Sequence, residues 1–147
     1  MLGLALAGLA ISAYLASFQL GWIGSVWDPL FGNGSERVLT SRVSDLLPVP
    51  DAAVGSAGYA VDAVLAGFIW ADPGRDRLSV LLAVVAIAGA VVGIGLAFSQ
   101  ALVVGAFCTL CLASTAISVG LAWTAVGDAL DRRAHGADEL KESEVGR

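Results

Sequence analysis

Cysteine, proline, histidine and charge are all scarce in this chain of 147 residues. Two cysteines are too few for a secreted scaffold held together by disulfides. Charged residues make up 14 %, where a soluble domain usually carries about a quarter, so a soluble fold is disfavoured. Only 8 Lys and Arg stand against 13 Asp and Glu, a net charge of -5 that cannot neutralise many phosphates. Nucleic acid is therefore excluded as a partner. The single histidine, His135, lies in a polar tail on the far side of the chain from both cysteines, so no four-ligand zinc site can form.

What is present is long uncharged sequence. No charged side chain occurs from Met1 to Trp27 or from Leu78 to Gly127, the composition is 57 % hydrophobic, and mean hydropathy is +0.81. These values indicate one membrane domain. Arg is preferred to Lys, and Ala, Gly and Val are abundant, as suits a GC-rich bacterial genome.

The runs predict four spans, at about 2–20, 50–70, 78–98 and 102–123, in a domain covering 1–127. The competing reading of the first run, a cleaved signal peptide, wants a basic start that MLGLALAG does not have. The turn Ala71 to Arg77 separates the second and third spans, and Ser99 and Gln100 suggest a hairpin between the third and fourth. Between the first two spans lies a loop with a short amphipathic helix expected around Glu36 to Leu46, where Leu39, Val43, Leu46 and Leu47 recur at helical spacing. Residues 128–147 read as a polar, solvated tail. The fold class is thus all-α, an integral-membrane four-helix bundle.

Lys and Arg favour the cytoplasmic side. Arg75, Arg77, Arg132, Arg133, Lys141 and Arg147 outweigh Arg37 and Arg42 of the long loop. This predicts cytoplasmic termini in a cell (inner) membrane, with the long loop outside. Trp22 and Trp27 then mark the outer boundary, and Trp70 and Trp123 the inner one.

Both cysteines fall in Cys108-Thr109-Leu110-Cys111, near the outward end of the fourth span. On a helix, i and i+3 share a face, so both sulfurs can point into one cavity and close a disulfide. A helix N-terminus favours the thiolate, and disulfides persist outside the cytoplasm. Two small buried hydrophobes remain the alternative reading. A redox dithiol in lipid needs an electron partner, and a lipid-soluble quinone dissolves where the site lies.

These residues resemble the vitamin K epoxide reductase family of four-helix membrane enzymes. The resemblance rests on Phe107-Cys-Thr-Leu-Cys-Leu-Ala-Ser114, Arg37-Val-Leu-Thr-Ser41, Pro48-Val-Pro50 and Gly55-x-x-x-Tyr59, in that order. It implies a thiol oxidoreductase with a menaquinone- or ubiquinone-type co-substrate and an extracytoplasmic thioredoxin-like partner. It also implies that Cys111 engages the quinone while Cys108 exchanges with thiols. The chain departs from the family in having no cysteine in the first loop, where a relay pair is usual. Ser35 stands about where the second relay cysteine is expected, Ala52 replaces a frequent serine, and Thr115 takes a position where some relatives have tyrosine. A scaffold that has lost catalysis is the alternative to the enzyme; transport gains little from one deep Asp.

Asp51, Tyr59, Phe107, Ser114 and Thr115 are candidates to line a quinone pocket, with ordinary bundle packing as the plain alternative. Asp51 could instead cap the second span. Asp62, deeper, could bond Tyr14, Ser12 or Ser118 across the bundle. Gly89 and Gly93 form a GxxxG that lets helices approach.

Overall fold

The computed structural model describes residues 1–41, 50–72, 74 and 76–145, with side chains as far as residue 136. Within them the chain is helical, with no strand. Its elements are α1 (Leu2–Gln19), α2 (Gly34–Leu39), α3 (Asp51–Ala71), α4 (Asp76–Ser99), a π-helical turn (Gln100–Val104) and α5 (Thr109–Val145). Four helical stretches, Leu2–Gln19, Asp51–Ala71, Asp76–Val104 and Thr109–Gly136, are long and apolar enough to cross a membrane. This is a four-helix membrane bundle.

The packing is that of a protein whose solvent is lipid. Bulky side chains such as Leu6, Val61, Val84, Val92 and Phe98 face outward, whereas the core is largely alanine. Ala5, Ala66, Ala83, Ala86 and Ala125 surround Leu65, Leu82 and Leu121. Small residues let helices approach closely where apolar surface has no reason to leave the hydrocarbon. Helix α1 packs on α3 and α5, and α4 closes the ring against α5 and α3. Trp22, Trp27, Trp70 and Trp123 are all strongly exposed.

Three boundaries differ from the sequence expectation. The third span does not end at Ser99 and Gln100 but runs on through the π-helical turn to Val104. Ser99 satisfies its hydroxyl on the Leu96 carbonyl at 2.7 Å, and Gln100 turns its amide inward to the Cys108 N–H at 2.9 Å. Polar side chains with partners inside the protein do not interrupt a helix. The chain turns instead at Gly105, whose φ of 63° is a left-handed conformation that glycine tolerates. The fourth helix therefore starts at Thr109 rather than near 102, and it continues to Val145 with no break at 128.

The loop helix is short, Gly34–Leu39, and residues 42–49, including Val43, Leu46 and Leu47, lie outside the described residues. Leu39 does not lie on a membrane surface. It is 5 % exposed and packs with Leu15 and Val26, beside Leu110 and Cys111. The loop thus folds down over the end of the bundle. The GxxxG pair is also divided: Gly93 meets Thr115, whose hydroxyl donates to its carbonyl at 3.2 Å, while Gly89 faces open space.

Candidate functional site

Cys108 immediately precedes the first residue of α5, and its amide, like others at a helix start, has no partner within the helix. Gln100 of the π turn supplies one. A disulfide joins Cys108 to Cys111, with their Cα atoms 5.2 Å apart, and the Cys111 amide donates to Cys108 Sγ at 3.0 Å. The two sulfurs do not share one cavity. Cys111 lines a cavity inside the bundle, whereas Cys108 is fully buried and faces the loop.

What covers Cys108 is built around Asp28. Its carboxylate accepts the Leu30 amide at 3.1 Å, the Phe31 amide at 3.0 Å, the Ser35 amide at 3.1 Å and the Ser35 hydroxyl at 2.7 Å. It also accepts the Thr109 hydroxyl at 2.5 Å and the Thr109 amide at 3.4 Å, so one side chain ties the loop to the start of α5. A negative charge there suits the positive end of the helix. Partial burial works against the charged form. The hydrogen bonds from Thr109, Phe31, Ser35 and Leu30 outweigh it and hold the carboxyl well below the ordinary carboxylate range. Ser35 Oγ lies 3.2 Å from Cys108 Sγ. Gly34 rests against the Phe107 carbonyl, where a Cβ would collide with backbone, and the Phe31 and Phe107 rings sit 5.5 Å apart.

On the other side of the disulfide is a cavity of about 390 Å³, within the range of small-molecule sites. Asp51, Tyr59, Ser114 and Thr115 line it together with Cys111, so four of the five expected lining residues converge there. Phe107 does not; it is 41 % exposed and packs on Phe31 instead. The i, i+3, i+4 and i+7 positions Cys111, Ser114, Thr115 and Ser118 form one face of α5 toward the cavity. Thr115 returns its hydroxyl to the Cys111 carbonyl at 2.9 Å. Tyr59 bonds the Ser114 carbonyl and the Ser118 hydroxyl, each at 2.6 Å.

Asp51 is the first residue of α3 and Pro50 is its N-cap. The Gln19 amide donates to Asp51 at 2.5 Å, and the Ala52 amide donates to Asp51 and to Gln19 at 2.9 and 3.1 Å. This joins the end of α1 to the start of α3. Asp62 also lines the cavity, but one of its carboxyl oxygens is buried without a hydrogen-bond partner. Of the partners expected for it, Ser118 is engaged by Tyr59, and Tyr14 receives the Trp27 amide.

Sequence reasoning does not single out Asp28 or Gln19, and it reads Gln100 only as part of a hairpin. An Asp-Pro dipeptide is a turn signal that points to Asp28; nothing local points to the two glutamines. Among the described residues no cluster of His, Cys, Asp and Glu could hold a metal.

A family model described as the vitamin K epoxide reductase family matches residues 1–126. No curated protein matches the chain.

Proposed function

The chain belongs to the vitamin K epoxide reductase family, multi-pass membrane proteins whose general chemistry links thiols to a quinone, and we propose that it is a thiol oxidoreductase with a quinone as acceptor. The observation that carries this reading is the placement of Cys111. Cys111 belongs to a disulfide and also lines a largely apolar cavity with a few convergent polar groups. The Cys108 and Cys111 thiols give two electrons and two protons to the quinone and become the disulfide, and the hydroquinone leaves. The disulfide then oxidises thiols outside the cytoplasm, on a thioredoxin-like protein.

Within the cavity, Asp51, Tyr59, Ser114 and Thr115 orient the quinone head against Cys111. Exposed Val54 and Val92 stand at the cavity's rim on α3 and α4, a side by which an isoprenoid tail reaches lipid. The charge distribution supports cytoplasmic termini, which sets the disulfide at the oxidising face. With no loop cysteine to relay, thiols meet Cys108 itself once the α2 cover lifts.

The test is quinone reduction by the purified protein with a dithiol donor, using menaquinone and ubiquinone analogues. Turnover is expected in the wild type and loss of it in both Cys108→Ser and Cys111→Ser. Unchanged thiols throughout, with no turnover for either quinone, leave the bundle as a scaffold and overturn the proposal.

A further inference from the structure

Ser35 has one hydroxyl proton and two neighbours for it. Its Oγ lies 2.7 Å from Asp28 Oδ2 and 3.2 Å from Cys108 Sγ. An ionised carboxylate is a far stronger acceptor than a sulfur, so the proton goes to Asp28 and a lone pair turns toward Cys108. Cys108 therefore faces a hydroxyl oxygen with a full negative charge directly behind it. The amide and hydroxyl of Thr109, which begin α5, are also given to Asp28 rather than to the sulfur.

From this juxtaposition we propose that Asp28, acting through Ser35, is the positioning residue that makes Cys108 the attacked sulfur and Cys111 the departing one. The inference rests on the reading of this pair as a thiol-exchanging couple. A substrate thiolate bonds to Cys108 Sγ, the bond between the two sulfurs breaks, and its electron pair leaves with Cys111. A second substrate thiolate then attacks the substrate sulfur of the mixed disulfide, and Cys108 departs and takes up a proton. The substrate dithiol loses two electrons and the protein pair gains them. A sulfur facing a carboxylate holds negative charge poorly, and exchange prefers the better leaving group.

The positive end of α5 opposes this polarity but is already met by the Asp28 carboxylate, and one contact opposes it too. The Cys111 amide donates to Cys108 Sγ. It is a neutral donor set against a whole charge, and it remains in place whichever sulfur is attacked. Among the described residues, the other charged groups near the end of the bundle are directed elsewhere. Glu36 accepts the Val26 amide, Arg37 is exposed, and Asp51 is held by Gln19 and the Ala52 amide across the cavity. Among the described residues, α1 and the π turn bring no charged side chain.

The test needs no quinone, so it can fail while the proposed function survives, and the reverse. In a Cys111→Ser background, ultraviolet thiolate absorbance follows the titration of Cys108. The midpoint is expected above the ordinary thiol value of about 8.5. Asp28→Asn should lower it by about one pH unit or more, and Asp28→Glu, which keeps the charge, should not. With both cysteines present, a small thiol should form its mixed disulfide on Cys108, and Asp28→Asn should raise the share on Cys111 by roughly tenfold. A midpoint unmoved by Asp28→Asn, or lowered equally by Asn and Glu, overturns the proposal. If Asp28→Asn does not fold, proteins that keep Asp28 still decide the matter: a midpoint below the ordinary value in Cys111→Ser, or adducts chiefly on Cys111 in the wild type, refutes it.

Discussion

Replacing Gln100 with leucine isolates one hydrogen bond at the start of α5. Gln100 is 2 % exposed, although polar and set in a π turn, and its Oε1 accepts the Cys108 amide at 2.9 Å. No carbonyl of α5 can take that amide, because Cys108 lies ahead of the helix. Leucine fills nearly the same space but offers no acceptor. The amide is then buried without a partner, at a cost of about 1–3 kcal/mol. Each ~1.4 kcal/mol is roughly a tenfold change in an equilibrium constant, so the folded fraction should fall about 5- to 150-fold relative to the unfolded. Equilibrium unfolding in mild detergent measures the stability, and hydrogen exchange at the Cys108 amide reports the bond directly. The wild type should show a protected amide and Gln100→Leu an exchanging one. Equal stability together with equal protection refutes the reasoning, and the π turn would then be incidental to the site.

Ser35→Cys places a thiol at the distance of a hydroxyl that already lies 3.2 Å from Cys108 Sγ. Oxidised protein should then contain a disulfide between positions 35 and 108, with Cys111 free, and peptide mapping that finds only the 108–111 linkage contradicts this. Asp62→Leu removes a carboxyl with one unpartnered buried oxygen and should raise the melting temperature, since an unsatisfied buried polar group costs about 1–3 kcal/mol. A fall in melting temperature indicates that Asp62 holds a partner worth more than its desolvation. Asp28 has a folded pKa below its unfolded one, so it stabilises the fold fully above about pH 4 and progressively less as pH falls below that. Acid unfolding should therefore steepen below about pH 4 in the wild type and flatten in Asp28→Asn, and identical acid profiles argue against the hub.

The spans were legible because hydropathy over twenty residues reports a bulk property, the exclusion of charge from hydrocarbon, which no single contact reverses. The helical face bearing Cys111, Ser114 and Thr115 was legible for a similar reason: spacing within one helix fixes direction. The same rule failed for its neighbours. Cys108 lies three residues before Cys111 but outside the helix, so it turned toward the loop, and Phe107 turned with it to stack on Phe31. Ser99 and Gln100 read as a hairpin because polarity was taken for exposure, whereas both are satisfied inside. The contacts that organise the disulfide join positions 73 and 81 residues apart, between Ser35 and Cys108 and between Asp28 and Thr109. No periodicity reaches so far. The difference between the surroundings of the two cysteines therefore comes from tertiary structure: the tetrapeptide supplies the pair, and a loop organised by Asp28 covers Cys108 while Cys111 lines the cavity.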